Sequence, residues 1–335
     1  MPFLSQTPGG KGIWHDYQFI VNDPTCKQCD YWFVAAELWD KLNDDNIAIC
    51  PKENVYLMMG EVLSDIRPYS KSFVKQFYNL IGLQNDKYQA NIKYDAVLPY
   101  WFVGLTMENN NMSKVNMKHN KSFDELLSIK ECKKTKLISV VSSNKVFTEG
   151  HMARFEFCRK LKEYFGDEID FFGRGHNDFE DKWDVVAPYK YHVAIENAII
   201  KNYFTEKLLD PFLAYCLPIY CGAPNIQQYF DPRSMLKIDI YRPEESIKLI
   251  EKAIRENEYE KRREYIYQMR KDVLYKYNMF ERIRTIVEQN KSSGSCVCNV
   301  ITPESAICYQ IENLPYKIEN RIRGGWNKLK YKFCK

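Results

Sequence analysis

Long apolar runs are missing from this sequence of 335 residues. No uncharged apolar window reaches the roughly 18 residues that a membrane-spanning helix needs. The first twenty residues also lack the continuous apolar stretch of a signal peptide. Glycine is scarce, at 14 residues, which excludes a glycine-rich repeat. We therefore expect a chain with neither a transmembrane helix nor a signal peptide.

Paired cysteine motifs of the kind that bind zinc are missing as well. The 11 cysteines are odd in number and scattered, which favours reduced thiols in a cytosolic protein. Cys26 and Cys29 form a lone CxxC, whereas a structural zinc site needs four ligands. Cys296 and Cys298 are too close in sequence for a zinc knuckle. We predict no metal site and a cytoplasmic location.

A large excess of charge of one sign is also absent. The net charge of +4 is too small to indicate a nucleic-acid-binding protein. Residues 316–335 contain seven Lys/Arg and one Glu, so this tail carries +6 and the rest of the chain −2. Its interleaved basic and aromatic residues are typical of segments that bind an anionic membrane surface. We predict peripheral binding to the inner face of the membrane; a solvated, disordered end is the alternative, and nucleic acid a lesser one.

The remaining composition is ordinary for a globular protein, with 45% apolar and 27% charged residues. Strand-like apolar runs, such as 217–221, alternate with predicted helices, such as 206–215, which is the pattern of an α/β fold. The run 136–143 predicts a buried parallel strand, and ligands bind at the carboxyl ends of such strands. Four segments are predicted: an N-terminal domain (1–132), a C-terminal domain (133–256), a long helical segment with a break near Asn278 that packs back on the body (257–290), and a flexible joint with the basic tail (291–335).

The segment 189–224, YKYHVAIENAIIKNYFTEKLLDPFLAYCLPIYCGAP, contains the residues best suited to bind an anion. Thr205 is a predicted helix N-cap, which places Lys207 in the first turn of the following helix. A lysine there opposes the helix dipole unless an anion occupies the N-terminus. A diphosphate would satisfy both the lysine and the free N–H groups. A solvated surface lysine is the alternative.

A glycine turn in FFGRGH is the second candidate, since neither GxGxxG nor a P-loop occurs. Gly173 would let the backbone approach a ligand closely, with Arg174 beside it. An ordinary turn after a strand explains the same residues.

Together these motifs resemble the signature of the α-1,3/4-fucosyltransferases, glycosyltransferase family 10. The family pattern is a YKF-type strand, then EN, a short loop, Y-x-TEK and a P-[IV]-x-x-G-x-P turn, and order and spacing agree here. The FFGRG turn and the stretch from Ser142 to Arg154 also resemble the family. The strong match covers 136–240 and a weaker one covers 1–105, and the bacterial, soluble branch is the most similar.

This resemblance implies a GT-B architecture, with two Rossmann-like domains facing each other across a cleft. The C-terminal domain would bind GDP-fucose, and the N-terminal domain would hold an oligosaccharide acceptor and supply the base. The implied reaction is an inverting single displacement that moves L-fucose to a hydroxyl, in an α-1,3-type linkage, without a cofactor. The residues implied in donor binding are Ser143, Asn144, Arg154, Gly173, Arg174, Tyr191, Glu196, Asn197, Tyr203, Thr205, Glu206 and Lys207.

Individual roles follow from the same resemblance. Arg154 and Lys207 would neutralise the departing diphosphate, whose charge grows in the transition state. Asn197 and Tyr203 would hydrogen-bond its oxygens, and Glu206 would contact ribose or fucose hydroxyls. Metal-dependent transferases bind their metal through an Asp-x-Asp pair, and none occurs here. We therefore predict catalysis without a metal.

The general base would be a glutamate of the N-terminal domain, and Glu61 stands at the matching place after Met59 and Gly60. A loop glutamate at a strand end is the alternative. His151 and His176 flank the predicted donor cleft and receive no role. Two other functions stay open: the same fold with another GDP-deoxyhexose donor, and a carbohydrate-binding relic without turnover.

Overall fold

The computed structural model describes residues 2–23, 25–35, 46–59, 69, 71–83, 88–104, 106–107, 115–116, 121–142, 149–173, 176–292, 294–303 and 322. Its strands are β1 (Ile13–Trp14), β2 (Tyr17–Gln18), β3 (Trp32–Ala35), β4 (Ile47–Pro51), β5 (Val55–Met58), β6 (Asn79–Ile81), β7 (Ile92–Tyr94), β8 (Thr106–Met107), β9 (Val115–Asn116), β10 (Lys136–Val141), β11 (Ile169–Phe172), β12 (Tyr189–Ile195), β13 (Leu217–Cys221), β14 (Leu236–Lys237) and β15 (Cys296–Val300). Its α-helices are α1 (Lys71–Val74), α2 (Phe123–Ser128), α3 (Glu149–Phe165), α4 (Glu206–Leu213), α5 (Pro243–Arg255), α6 (Glu258–Lys261), α7 (Arg263–Tyr275) and α8 (Met279–Gln289).

Close contacts group the described residues into two units. The first comprises the described parts of 1–21 and 99–284, and the second those of 22–98 and 285–335. These boundaries differ from the predicted one at 132/133. The physical reason is visible at Trp101 and Phe102, which bond within the first unit: the Gln6 side chain donates to Trp101 O (2.9 Å), and Phe102 N donates to Asp210 Oδ1 (2.9 Å).

The first unit contains a parallel sheet of five strands in the order β11-β10-β12-β13-β14. Most residues of its central strands are apolar because both faces are buried; Ile138 and Val193, for example, are almost fully buried. Strand order reverses between β10 and β12. In open parallel sheets ligands bind outside the carboxyl ends of the strands at such a reversal, so the fold directs attention to Ser142 and Glu196, which follow these two strands.

Two helices of the first unit have well-defined ends. Helix α3 ends at Phe165 because Gly166 has a left-handed backbone, with φ of +53°. Thr205 caps α4 by accepting a hydrogen bond from Lys207 N, as the sequence predicts. Helix α4 stops at Leu213, earlier than the predicted end at 215, because Tyr215 takes a φ of +58°.

The predicted helical stretch 257–290 consists of three helices, α6 to α8. The predicted break near Asn278 is present: its side chain accepts from Phe280 N (3.0 Å) and donates to Gln6 O (2.8 Å). A buried amide with these partners ends one helix and caps the next.

The second unit contains a parallel sheet of four strands in the order β3-β5-β6-β7. Val34, Leu57 and Leu80 project from it into a core shared with Phe73 of α1. Strand β15 pairs antiparallel with β4, so part of the segment predicted as a flexible joint is ordered. The predicted α/β class is confirmed: each of the two units contains a parallel sheet, as expected of Rossmann-like domains.

Among the described helices, none combines the length and the apolar character that crossing a membrane requires.

Candidate active site

The candidate site begins where the backbones of β10 and β11 end side by side. Ser142 N donates to Phe172 O at 2.9 Å. The next residue, Gly173, has a φ of +105°, and a Cβ at this position would lie 2.3 Å from Ser142 O. Only glycine fits such a close approach. The predicted glycine turn is therefore a backbone requirement at the carboxyl edge of the sheet.

Glu196 follows β12 directly and is 4% exposed. Its backbone N donates to Cys221 O at 2.8 Å, which extends the pairing with β13. Its Oε1 accepts from Thr205 N (2.8 Å) and its Oε2 from Thr205 Oγ1 (2.7 Å). Glu196 thus fixes the residue that caps α4, and both carboxylate oxygens face protein groups.

Lys207 lies in the first turn of α4, where the sequence predicts it. Its Nζ is 2.9 Å from Glu206 Oε1 and 3.4 Å from Thr205 Oγ1, and a quarter of its side chain is exposed. Burial acts to lower the pKa of Lys207, but the carboxylates of Glu206 and Glu196 outweigh it and raise that pKa. Lys207 is therefore a cation at neutral pH.

The two carboxyl groups beside Lys207 titrate in opposite directions. Burial raises the pKa of Glu196 to about 7, although Lys207 opposes the rise. Burial also acts to raise the pKa of Glu206, but Lys207 and Lys182 prevail and lower it to about 2. Pairs of carboxyl groups with pKa values pushed apart are typical of functional sites.

Arg154 brings a second cation from α3. It is 7% exposed, and its Nη1 donates to Asn197 Oδ1 at 3.0 Å. Its Nε is buried and has no hydrogen-bond partner. Burial lowers the pKa of Arg154, yet a guanidinium remains charged at neutral pH. An anion would satisfy part of this donor capacity.

These contacts form one connected series, from Arg154 through Asn197 and Glu196 to Thr205 and Lys207. Two cations and the free N–H groups at the start of α4 are held at the carboxyl edge of a parallel sheet, at its reversal point. This is the chemistry that binds a phosphate or diphosphate.

A buried ion pair supports α4 from within the first unit. Lys182 Nζ lies 2.7 Å from Asp210 Oδ2 and 3.4 Å from Glu206 O. Burial raises the pKa of Asp210 to about 6, and Lys182 opposes the rise. Sequence reasoning missed both residues, because no local spacing connects position 182 with position 210. The single available signal was a charged residue on the apolar helix face beside Pro211.

The structure places several predicted donor residues elsewhere. Tyr191 lies within β12 and is 1% exposed; its hydroxyl donates to Ala253 O (3.2 Å) and accepts from Tyr259 N (3.2 Å). This is a packing position rather than an edge position. Tyr203 is also buried, at 2% exposed, so its side chain belongs to the interior behind the loop. Thr205 acts as the helix cap, as described above.

Five predicted features lie outside the described residues. They are Ser143, Asn144, Arg174, the proposed base Glu61, and the basic tail except for Ile322.

The comparison with protein families identifies the family of the chain. The family model described as "Glycosyltransferase family 10 (fucosyltransferase) C-term" matches residues 131–315, more than half of the chain. The chain belongs to glycosyltransferase family 10. The predicted family is thereby confirmed, and the anion-binding series described above lies within the family 10 domain.

Two curated relatives match shorter stretches. A GDP-fucose protein O-fucosyltransferase 3 from Danio rerio is 33% identical over 84 residues, which is 25% of this chain and 18% of the relative. The alpha-(1,3)-fucosyltransferase FucT of Helicobacter pylori is 31% identical over 68 residues, which is 20% of this chain and 14% of the relative. The chain thus covers less than a fifth of either relative's length.

Among solved structures, an alpha1,3-fucosyltransferase with GDP-fucose aligns with a TM-score of 0.45 and 18% identity. The alignment covers 72% of this chain and 76% of that chain.

Among the residues of the family 10 chain that the structure describes, no group of three or more His, Cys, Asp or Glu side chains is placed to hold a metal ion.

Proposed function

We propose that this chain is an inverting fucosyltransferase that moves L-fucose from GDP-fucose to a hydroxyl of a glycan acceptor, in an α-1,3-type linkage and without a metal. The observation that carries the proposal is the presence of two cations at the carboxyl edge of the sheet in a family 10 domain: Lys207 in the first turn of α4, and Arg154, which is held by Asn197 and acts on the pKa of Lys207. That arrangement suits the diphosphate of a nucleotide sugar.

Both cations would act on the leaving group. When the bond between fucose and the diphosphate breaks, negative charge accumulates on the departing GDP. Fixed positive charge at that place stabilises the transition state more than the bound donor, and therefore raises the rate. Lys207 would exchange Glu206 for a diphosphate oxygen, and Arg154 would donate its remaining N–H groups while Asn197 keeps it oriented.

The second half of the reaction needs a base for the acceptor hydroxyl. We assign this role to Glu61, in the second unit, from its sequence position alone. The acceptor hydroxyl would attack the anomeric carbon opposite the diphosphate. Attack from that side inverts the anomeric configuration in a single displacement.

A protein acceptor is the second candidate. It is favoured by the similarity of 84 residues of this chain to a GDP-fucose protein O-fucosyltransferase 3. Another GDP-deoxyhexose as donor, and a relic without turnover, are the other outcomes that an experiment must separate.

The test is a transfer assay that crosses donors with acceptors. Radiolabelled GDP-fucose, a second GDP-deoxyhexose, UDP-galactose and CMP-sialic acid are each offered with oligosaccharide and with folded protein acceptors. The proposal expects transfer from GDP-fucose to an oligosaccharide, and activity that survives EDTA. Transfer from another donor, transfer to protein alone, no transfer at all, or complete loss in EDTA with recovery on adding Mn²⁺ would each contradict it.

We also propose that residues 316–335, with their charge of +6, hold the enzyme on the cytoplasmic surface of an anionic membrane. Removing them should abolish binding to phosphatidylglycerol vesicles at low salt and leave transfer to a soluble acceptor unchanged. Vesicle binding that survives the truncation would contradict this localisation.

A further inference from the structure

We propose that Glu196 is a proton-binding positioning residue, which takes up a proton when the donor's diphosphate binds beside Lys207. The inference rests on the proposed function, because it needs a nucleotide sugar at the start of α4. It assigns Glu196 a role behind the site rather than in contact with the donor.

The position of Glu196 leaves no room for a ligand. It is 4% exposed, and both of its oxygens accept hydrogen bonds from Thr205. On its other side Gly222 packs so closely that a Cβ there would lie 2.6 Å from Glu196 Cγ. The carboxyl group is therefore clamped between the cap of α4 and the turn after β13.

The surroundings of Glu196 decide which group can titrate. Helix α4 presents Glu206 and Lys207, β13 presents Tyr220 and Cys221, and α3 presents Arg154 through Asn197. Burial raises the pKa values of Tyr220 and Cys221 above their usual range, so both stay neutral at pH 7. Lys207 and Arg154 stay positive.

The charge balance of the site consequently depends on Glu196. Glu206 is ionised at neutral pH, since its pKa is about 2, whereas Glu196 has a pKa of about 7 and is close to half ionised. With Glu196 ionised, its charge and that of Glu206 cancel the two cations. With Glu196 protonated, one positive charge remains for an incoming anion.

A bound diphosphate would shift this balance further. Its negative charges repel the Glu196 carboxylate and attract Lys207 away from it, and both effects favour the protonated acid. The proton comes from solvent, and Glu196 Oε1 can still accept from Thr205 N, so the cap of α4 is kept. The affinity for the donor should therefore decline as the pH rises above the pKa that Glu196 has in the enzyme without donor.

Proton uptake is measurable by calorimetry of GDP-fucose binding, without acceptor, at pH 7.5 in PIPES and in Tris, since phosphate buffer would compete for the anion site. These buffers differ strongly in ionisation enthalpy. GDP-fucose is the suitable probe because its diphosphate is esterified at both ends and carries no group that titrates near neutral pH. We expect the wild-type protein to take up roughly half a proton or more per donor bound.

The Glu196→Gln variant should bind GDP-fucose with the same observed heat in both buffers, because it takes up no proton, and with an affinity independent of pH. Glu163→Gln is the matched control: it makes the same change on an exposed carboxylate of α3, paired with Arg159, and should retain the wild-type uptake. Uptake that persists in Glu196→Gln would assign the proton to another group and overturn the inference.

The wild-type protein alone provides a second test if Glu196→Gln fails to fold. Its Kd for GDP-fucose should rise from pH 7 towards pH 9, approaching tenfold per pH unit. A Kd that is constant across this range would overturn the inference while leaving the proposed function intact. Failure of the wild-type protein to bind GDP-fucose at any pH would instead contradict the proposed function on which the inference rests.

Discussion

At the scale of single residues, Lys207 lies where the helix dipole opposes its positive charge. It stands in the first turn of a helix, where the dipole disfavours a cation, and it is compensated by Glu206 at 2.9 Å. The proposed function would explain a lysine in this position, because a bound diphosphate would replace its carboxylate partner.

Replacing this lysine tests that explanation. Lys207→Ala should weaken GDP binding about 10- to 100-fold, the usual worth of a hydrogen bond to a charged group. It should also lower kcat, because the charge it opposes grows in the transition state. Calorimetry and steady-state transfer assays measure the two effects. Lys248→Ala, an exposed lysine of α5, should change neither, and an unaltered Kd in Lys207→Ala would refute the role.

Two glycines with left-handed backbones provide a second test at this scale. Gly173→Ala should destabilise the protein by about 3 kcal/mol or more, because the added Cβ would meet Ser142 O at 2.3 Å. Gly166→Ala adds a Cβ in open space and should cost only the left-handed backbone strain, about 1–2 kcal/mol. Urea denaturation of both variants measures the difference. Equal losses of stability in the two variants would contradict this prediction, because they would mean that Ser142 moves away from the added Cβ at no cost.

The residues that sequence could predict are those joined by short spacings. Thr205 and Lys207 are two positions apart, and a helix cap followed by a lysine in the first helical turn predicts an anion site. Glu196 could be singled out from the family motif but not given its place behind the cap, because that depends on burial. Lys182 and Asp210 could not be paired from sequence, since only the folded chain brings them together.

At the scale of elements, a buried ion pair fixes the inner side of α4. Asp210 pairs with Lys182 and also accepts from Phe102 N, which links the helix to the segment that follows the second unit in the chain. The orientation of α4 therefore depends on a buried ion pair whose lysine also contacts the carbonyl of Glu206, the first residue of the helix.

Removing one partner of this pair should be costly. Lys182→Met leaves Asp210 buried without its cation and should lower the free energy of unfolding by about 3–5 kcal/mol. Adding Asp210→Asn should recover most of that loss, because the amide oxygen can still accept from Phe102 N without a buried charge. Denaturation of the single and double variants measures this coupling. A double variant less stable than Lys182→Met would contradict the account.

Element types were predictable where the apolar period was clear. Strand β13 spans the predicted 217–221, and Asn278 ends a helix as expected. The additional break at Arg262 and the strand β15 were not predicted. The reason is that β15 forms only by pairing with β4, some 245 to 253 positions away in the chain, and no local pattern reports such a contact.

At the scale of the whole molecule, the proposed reaction is divided between the two units. The first unit would hold the donor, and the second would supply the base. The predicted domain boundaries could not capture this division, because residues 99–132 group with the first unit and the chain returns to the second after Arg284.

The assignment of the base separates binding from chemistry. Glu61→Gln keeps the size of the side chain but cannot accept a proton, so transfer should decrease by about 10²–10⁴-fold while GDP-fucose affinity stays unchanged. Glu53→Gln, in the same unit, should leave both intact. Near-normal transfer by Glu61→Gln would exclude Glu61 as the base and direct the search to another carboxylate of the second unit.

The central claim is that the first unit binds the diphosphate of a guanine nucleotide at the start of α4. The most direct measurement is the thermal unfolding of the full chain with GDP, with UDP and with neither. At a hundredfold excess over its Kd, GDP should raise the midpoint by roughly 5 °C, and UDP at the same concentration by much less. Equal shifts with both nucleotides, or no shift with GDP, would contradict the account.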